Sequence, residues 1–546
     1  MKFSRSLSVL MGATALTLTV GVHALAKDVR TATPIKHLVV IYQENVSFDH
    51  YFATYPNATN PVGEPPFHAR KNTPTDINTV ENAGLLTNNP NYLNPLNGAG
   101  AANPFRLDLT QVATADQFHS YTPEQQAEDN GAADLFPLYT GDGTPGGVGA
   151  FGTTGQVMGY FDGNTVTAIW NYAQHFAMDD NARTDTYGPS TPGALEAISG
   201  QTNGMQIVLD TNGKTTFYVA DGQGGYTIIG DVDPANDVCS STADTAMMAG
   251  NNIGDLLNAA HITWGGFMGG FNLSLTNPNG TTGCARTTTS TYTGVTENDY
   301  IQHHNWFQYY PSTANPTHAR PNGVQDIGYT YDPGTNTLDP ANHEYDIEDF
   351  YAAVESGNFP SVSYIKAPAY EDGHAGYSDP ADEQYFLVTV LNFLQQQKGW
   401  KDTAVIVAYD DSDGWYDHAY STPITSSYSS ADELNGPSVC GTGTQPNGLS
   451  GLPVNGRCGA GVRTPFMVIS SHAKKNYVSH VPITQASIVQ FIEDNWLAGT
   501  RLGGGSFDAS TGSIMDMFNF SDAQQQPKLN LDPKTGLPIT YVAKKQ

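Results

Sequence analysis

Short, unbroken apolar runs in this chain end abruptly in acidic or amide residues. Leu38-Val39-Val40-Ile41-Tyr42 gives way to Glu44-Asn45, and Ala404-Val405-Ile406-Val407-Ala408-Tyr409 gives way to Asp410-Asp411. Runs this short, rich in β-branched residues and apolar at successive positions, predict strands buried on both faces, as in a parallel sheet. Further strands are expected at Ser361-Val362-Ser363-Tyr364-Ile365 and over 464–470, with a short strand-like piece at Phe176-Ala177-Met178. Helical spacing appears elsewhere. Val166, Ile169, Trp170, Tyr172 and Ala173 share one face, as do Phe386, Leu387, Val390, Leu391 and Leu394, and further helices are expected to begin at 346–350 and to span 483–496. Strand, loop, helix and strand in that order after residue 340 suit a right-handed crossover. The pattern predicts an α/β fold, a mostly parallel central sheet flanked by helices. Residues 205–300, dense in Gly, Thr and Asn and poor in periodicity, are expected to form a loop-rich insert or cap.

Composition narrows the function. The 546 residues hold 24 Lys plus Arg against 53 Asp plus Glu, a formal net charge of −29. A nucleic-acid-binding surface is excluded on that balance, because phosphate-backbone affinity rests on clustered Lys and Arg. Adsorption to an anionic membrane is disfavoured for the same reason. Lys2 and Arg5 precede an apolar stretch over 7–22, and Ala24-Leu25-Ala26 offers a small-residue cleavage site, so residues 1–26 read as a signal peptide and the destination as periplasmic or secreted. No stable membrane anchor is expected. Four cysteines suit an oxidising destination. Cys239 with Cys284 and Cys440 with Cys458 fit the spacing as two local disulfides, with other pairings left open.

The strand ends supply the candidate chemistry. Strands of an α/β sheet present their functional groups at their carboxyl ends. If the two acidic ends lie side by side, Glu44, Asp410, Asp411 and the amide of Asn45 converge at one rim, and a hard divalent cation is their simplest occupant. The plainer alternative is that acidic residues close strands by capping turns, with Asp413-Gly414 as a turn signal. A nucleophile candidate lies in Tyr187-Gly188-Pro189-Ser190-Thr191-Pro192-Gly193, just ahead of helix-forming Ala194-Leu195-Glu196-Ala197-Ile198. There Ser190 is either an ordinary N-cap or a hydroxyl activated at a helix start. His119, His303, His304 and His374 are candidates to bind phosphoryl oxygens or to protonate a leaving alkoxide. His37, His50, His418 and His480 are assigned structural roles.

These motifs resemble the bacterial phosphoesterase family that contains non-specific phospholipases C and secreted acid phosphatases, related in fold to alkaline phosphatase. The resemblance rests on 44–52, on Gly188-Pro189-Ser190-Thr191-Pro192, on Gly376-Tyr377-Ser378-Asp379-Pro380, on 409–418 and on 463–470. It implies that Glu44, Asn45, Ser190, Asp410 and Asp411 hold one divalent metal ion, that Ser190 is the nucleophile, and that His119, His303, His304 and His374 surround the substrate. It also implies a phosphoesterase catalytic domain over 27–546. Many phospholipase-like members have Thr followed by Pro-Asn where this chain has Ser190-Thr191-Pro192-Gly193, and Asp-Glu where it has Asp410-Asp411. Both departures look more like the acid-phosphatase branch. The expected activity is hydrolysis of phosphate monoesters through a phosphoserine. One alternative is a phospholipase C acting on phospholipid, with Trp306, Phe307, Tyr309 and Tyr310 as an apolar approach. A second is a non-catalytic binding protein that keeps the cation for stability.

Overall fold

The computed structural model describes residues 30–142, 152–211, 213, 216–521 and 527–539. The expected signal peptide lies outside them. An eight-stranded sheet organises the chain from Thr31 onward. Its strands are β1 His37–Gln43, β2 Ala177–Asp179, β3 Trp264–Met268, β4 Glu344–Asp346, β5 Val362–Lys366, β6 Thr403–Tyr409, β7 Phe466–Ser470 and β8 Tyr477–Ser479. Their order is β4-β3-β5-β1-β6-β7-β2-β8. Neighbours from β4 to β6 pair in parallel, β7 runs antiparallel to both β6 and β2, and β8 is parallel to β2. The mostly parallel α/β sheet read from the apolar runs is thus observed.

Tyrosines fix which helices cover which face. The main helices are α1 Thr167–His175, α2 Ser190–Ser199, α3 Ile347–Ser356, α4 Pro380–Gln396 and α5 Ala486–Trp496. Tyr42 and Tyr364 project from the same face, since Tyr364 pairs with Val40 and side chains alternate along a strand. Their hydroxyls donate to the carbonyls of Gly193 and Ala197, 2.9 and 3.0 Å away, so α2 covers that face, and α5 packs on α2. Tyr409, one register step from Tyr42, points the other way and donates to Glu383 of α4. The strongest helix starts are written in sequence: Asp346 caps α3 in a reciprocal box with Asp349, and Asp379 accepts from two N–H groups of α4 just ahead of Pro380.

The 205–300 segment departs from its expected role as an insert. Its first part does form a separate five-stranded sheet, beginning at Asn203–Asp210 and ending at Asp244–Met248. Trp264–Met268, however, is a fully buried strand of the central sheet. Its Gly265-Gly266 pair hides the strand signal, and the packing demands it. A Cβ on Gly266 would stand 2.5 Å from Glu344 Oε1, and one on Gly265 would press on Phe267 and Tyr345. Both expected disulfides, Cys239–Cys284 and Cys440–Cys458, are present. Among the described residues no helix is long and apolar enough to cross a membrane.

Candidate active site

Three adjacent parallel strands deliver charge to one rim. β1 ends at Glu44-Asn45, β6 at Asp410-Asp411 and β5 at Lys366, and all five side chains are buried. Asn45 adopts φ 49°, a left-handed conformation that Asn tolerates better than most residues, and it turns the chain immediately after the strand. The start of α2 is brought against this rim by Gly193, where a Cβ would stand 2.0 Å from the Asp410 carbonyl oxygen.

Ser190 is the first residue of α2, and its hydroxyl does not cap the helix. It lies 3.1 Å from Glu44 Oε2 and 3.2 Å from Asp411 Oδ2. The capping is done instead by Asp231, whose carboxylate accepts from the Thr191 N–H at 2.9 Å. A buried hydroxyl released from helix capping thus has two carboxylate oxygens within reach as proton acceptors.

The carboxylates divide their oxygens between two tasks. Glu44 Oε1 meets the Lys366 ammonium and lies 3.1 Å from His304 Nδ1, while Glu44 Oε2 faces Ser190. Asp410 Oδ2 accepts from Lys366 at 3.0 Å, and its Oδ1 accepts from the Asp411 N–H at 2.9 Å. Asp411 Oδ1 accepts from the Asp413 N–H at 2.6 Å, and its Oδ2 faces Ser190. Lys366 is held above its ordinary pKa by Asp410 and Glu44 against the opposing effect of burial. One ammonium does not neutralise the set. Burial, then Asp410, pushes Glu44 well above the usual carboxylate range, and burial does the same to Asp411.

Asn45 tests whether a cation fits here. Its amide nitrogen lies 3.0 Å from His374 Nε2, which leaves Oδ1 at 2.5 Å from Glu44 Oε2, 3.0 Å from Asp410 Oδ1 and 3.3 Å from Asp411 Oδ2. Reversing the amide would let nitrogen donate to all three carboxylates, but oxygen would then need a proton on His374 Nε2. His374 Nδ1 already donates to the Ala375 carbonyl at 2.5 Å, and burial lowers its pKa, so Nε2 offers a lone pair. Three carboxylate oxygens facing one amide oxygen, with a serine hydroxyl beside them, form a hard-donor set that a divalent cation would reconcile. The residues therefore fit the expected ion, and Glu44, Asn45, Asp410, Asp411 and Ser190 are the ones that would hold it.

The four histidines gather over the same rim. His303 and His304 meet edge to face at 4.6 Å, His304 stacks on His374 at 6.5 Å, and His374 meets His119 at 5.9 Å. His119 Nδ1 lies 2.7 Å from the Gln117 carbonyl and 3.2 Å from Asp413, which turns Nε2 toward Asn45 at 3.4 Å. Burial opposes its protonation, but Asp411 and Asp413 outweigh it and raise its pKa well above the ordinary value. Burial lowers His304 well below that value, reinforced by His303 and Lys366. His303 stands one step out, with Nδ1 3.8 Å from Asp233. A cavity of about 270 Å³ opens above, lined by Asp116, Gln117, Phe118, His119, Ser120, Asp142, Pro189 and Asp231.

Lys366 and Glu124 were not legible as site residues. Lys366 closes an expected strand, so the carboxyl-end rule that drew attention to Glu44 and Asp410 applied to it as well. Glu124, pushed to about 7 by burial, accepts from Ser412 at 2.5 Å and from the Gly188 N–H at 2.9 Å, and so braces the loop that presents Ser190. The expected apolar approach through Trp306, Phe307, Tyr309 and Tyr310 is corrected: all four are buried, and Trp306 and Phe307 pack against Tyr42, Trp264 and Tyr364. The histidines left to structural roles lie elsewhere. His37 stacks on Phe359, His50 on Trp415, His418 pairs with Asp49 and His480 with Asp180.

A family model described as the Phosphoesterase family matches residues 35–498. Among curated proteins, the non-hemolytic phospholipase C of Burkholderia pseudomallei (strain K96243) is 24% identical over 486 residues, covering 86% of this chain and 56% of that protein. The hemolytic phospholipase C of Pseudomonas aeruginosa is 22% identical over 536 residues, covering 94% of this chain and 60% of that protein. The chain thus spans little more than half the length of these relatives. Among solved structures, murine ectonucleotide pyrophosphatase / phosphodiesterase 5 aligns at 10% identity with a TM-score of 0.29, over 65% of this chain and 95% of that one. The phosphonate monoester hydrolase of Agrobacterium radiobacter aligns at 9% identity with a TM-score of 0.30, over 67% of this chain and 74% of that one.

Proposed function

The chain belongs to the Phosphoesterase family, and from that premise we propose that it is an exported, cation-dependent hydrolase of phosphate monoesters working through a phosphoserine at Ser190. The observation that carries this reading is the Ser190 hydroxyl, turned from its helix toward Glu44 and Asp411. Glu44, Asn45, Asp410 and Asp411 would hold a divalent cation, whose positive charge would lower the hydroxyl pKa and offset that of the phosphoryl oxygens. Ser190 Oγ passes its proton to one of the facing carboxylates, Glu44 or Asp411, and forms a bond to phosphorus as the ester oxygen departs in line. His119, whose Nε2 faces the rim beside Asn45, delivers a proton to that oxygen. Water then attacks the phosphoserine, releasing inorganic phosphate and restoring the hydroxyl. His303 orients the phosphoryl oxygens, while His304 and His374 hold Glu44 and Asn45 in place.

A second reading is supported by the names of the relatives: a phospholipase C that cleaves the phosphodiester of a phospholipid head group. One side-by-side assay separates the two. An aryl phosphate and phosphatidylcholine are offered to the same preparation, with and without chelator. The monoesterase reading expects chelator-sensitive phosphate release from the aryl ester and no diacylglycerol. Diacylglycerol release without phosphate release would replace it with the second reading. Cation binding with no hydrolysis of either ester would leave a binding protein.

A further inference from the structure

A groove of about 1000 Å³ lies beside the catalytic mouth, and Phe118 and Ser120 line both cavities. His119, the proposed proton donor, is the residue between them. The far side of the groove also reaches the nucleophile loop. A Cβ on Gly188 would stand 3.3 Å from the Ile229 carbonyl and 3.8 Å from Tyr121 Cβ, and Ile229 and Tyr121 are groove residues. The groove therefore adjoins both the mouth and the loop that carries Ser190.

The two cavities differ in chemistry. The mouth carries Asp116, His119, Asp142 and Asp231. Among the described residues that line the groove none is charged, in a chain of formal net charge −29. Of Asp116, His119, Asp142 and Asp231, His119 alone can offer the positive charge or N–H that a phosphoryl end requires, so the ionic end of a phosphate ester belongs at His119 and the rim and its uncharged alcohol end in the groove. The lining also favours rings over alkyl chains. Phe118, Tyr121, Tyr218 and Tyr226 supply aromatic faces, with the last two edge to face at 5.0 Å, while serines, threonines and Asn455 offer hydrogen bonds. Long aliphatic side chains are nearly absent, Val219 and Ile229 being the largest. Aromatic faces interleaved with neutral polar groups suit a flat, uncharged ligand.

We infer that this groove binds the uncharged, ring-bearing alcohol portion of the ester, so that aromatic leaving groups are selected ahead of acyl-glycerol ones. The inference rests on the phosphoesterase reading of Ser190 and specifies its substrate. Phe118 and Tyr226 are 57% and 37% exposed, so their truncation removes a groove face without opening the core. KM is compared for phenyl phosphate and 2-naphthyl phosphate, with monoacylglycerol phosphate as a third substrate. Wild type should favour the naphthyl ester by about tenfold in KM. Phe118→Ala combined with Tyr226→Ala should abolish that preference. A preference that survives the double variant, or a larger advantage for monoacylglycerol phosphate, overturns the inference. Titration of 2-naphthol alone, followed by its own fluorescence, separates the two claims because it requires no turnover. Binding to wild type but not to the double variant sustains the groove even if no ester is cleaved, whereas equal binding to both rejects it.

Discussion

Two buried acidic clusters grow from the same pair of strand ends, and only one is neutralised by the protein itself. The outer cluster joins Asp49 and Asp417 to Arg463 and His418. Arg463 lies 2.9 Å from Asp417 Oδ1 through Nε and 3.2 Å from Asp49 Oδ1 through Nη2, and Nη1 donates to the Asn78 and Asp180 carbonyls. His418 Nδ1 closes on Asp49 at 2.6 Å. Burial works against the Asp49 charge, but His418 and Arg463 outweigh it and hold its pKa below the ordinary value. The inner cluster, a few residues back along both segments, sets Glu44, Asp410 and Asp411 against Lys366, with His119 beside Asp411, and Glu44 and Asp411 are still driven up. Proximity of carboxylates is therefore not the signal of a cation site. The signal is a deficit of positive charge that hydrogen bonds leave unfilled.

Each cluster should fail in its own way. The largest effect is catalytic: Ser190→Ala should lower turnover of an aryl phosphate by at least about a thousandfold while leaving the melting curve near that of wild type. Asp417→Ala removes one of the two carboxylates that pair with buried Arg463 and should cost about 3 kcal/mol of stability by denaturant titration, with cation content by elemental analysis unchanged. Stability that fell together with cation content would merge the two clusters.

Chelation should reverse that pattern. Removing an ion present at about a hundredfold over its Kd should cost about 2.7 kcal/mol of apparent stability in wild type, and nothing in the Asp410→Ala, Asp411→Ala double variant. An equal chelator response in both would remove the ion from this rim. The smallest effect is expected from Lys366→Met. Loss of its charge-assisted hydrogen bonds should enlarge the chelator-induced destabilisation by about 1.5 kcal/mol, since the carboxylates then lack their remaining countercharge. An unchanged response would make Lys366 a mere packing residue.

The comparison also explains what could be read in advance. β1 and β6 announce themselves because burial on both faces forces continuous Val and Ile, and the acidic pairs follow at once. β3 is silent because the space beside Phe307 and Glu344 admits only glycine, which erases the strand signature. The Ser190 motif pointed to a helix start, but only geometry separates a capping hydroxyl from one turned toward Glu44. The arc of histidines is drawn from positions 119 to 374, a separation that no local spacing encodes: residue type made them candidates, and only the family resemblance set them around one substrate. Lys366 follows the expected strand at once, but nothing in its local sequence says that it is buried between two carboxylates. The groove from Phe118 to Asn455 is likewise assembled by tertiary structure alone.

The central claim is that Ser190 receives the phosphoryl group. The direct measurement is acid quenching during turnover of an aryl phosphate, followed by peptide mass spectrometry. One phosphoryl group on the peptide containing Ser190, absent from Ser190→Ala, is the predicted result. Sustained turnover with that peptide unmodified, or a phosphoryl group on a histidine instead, would contradict it.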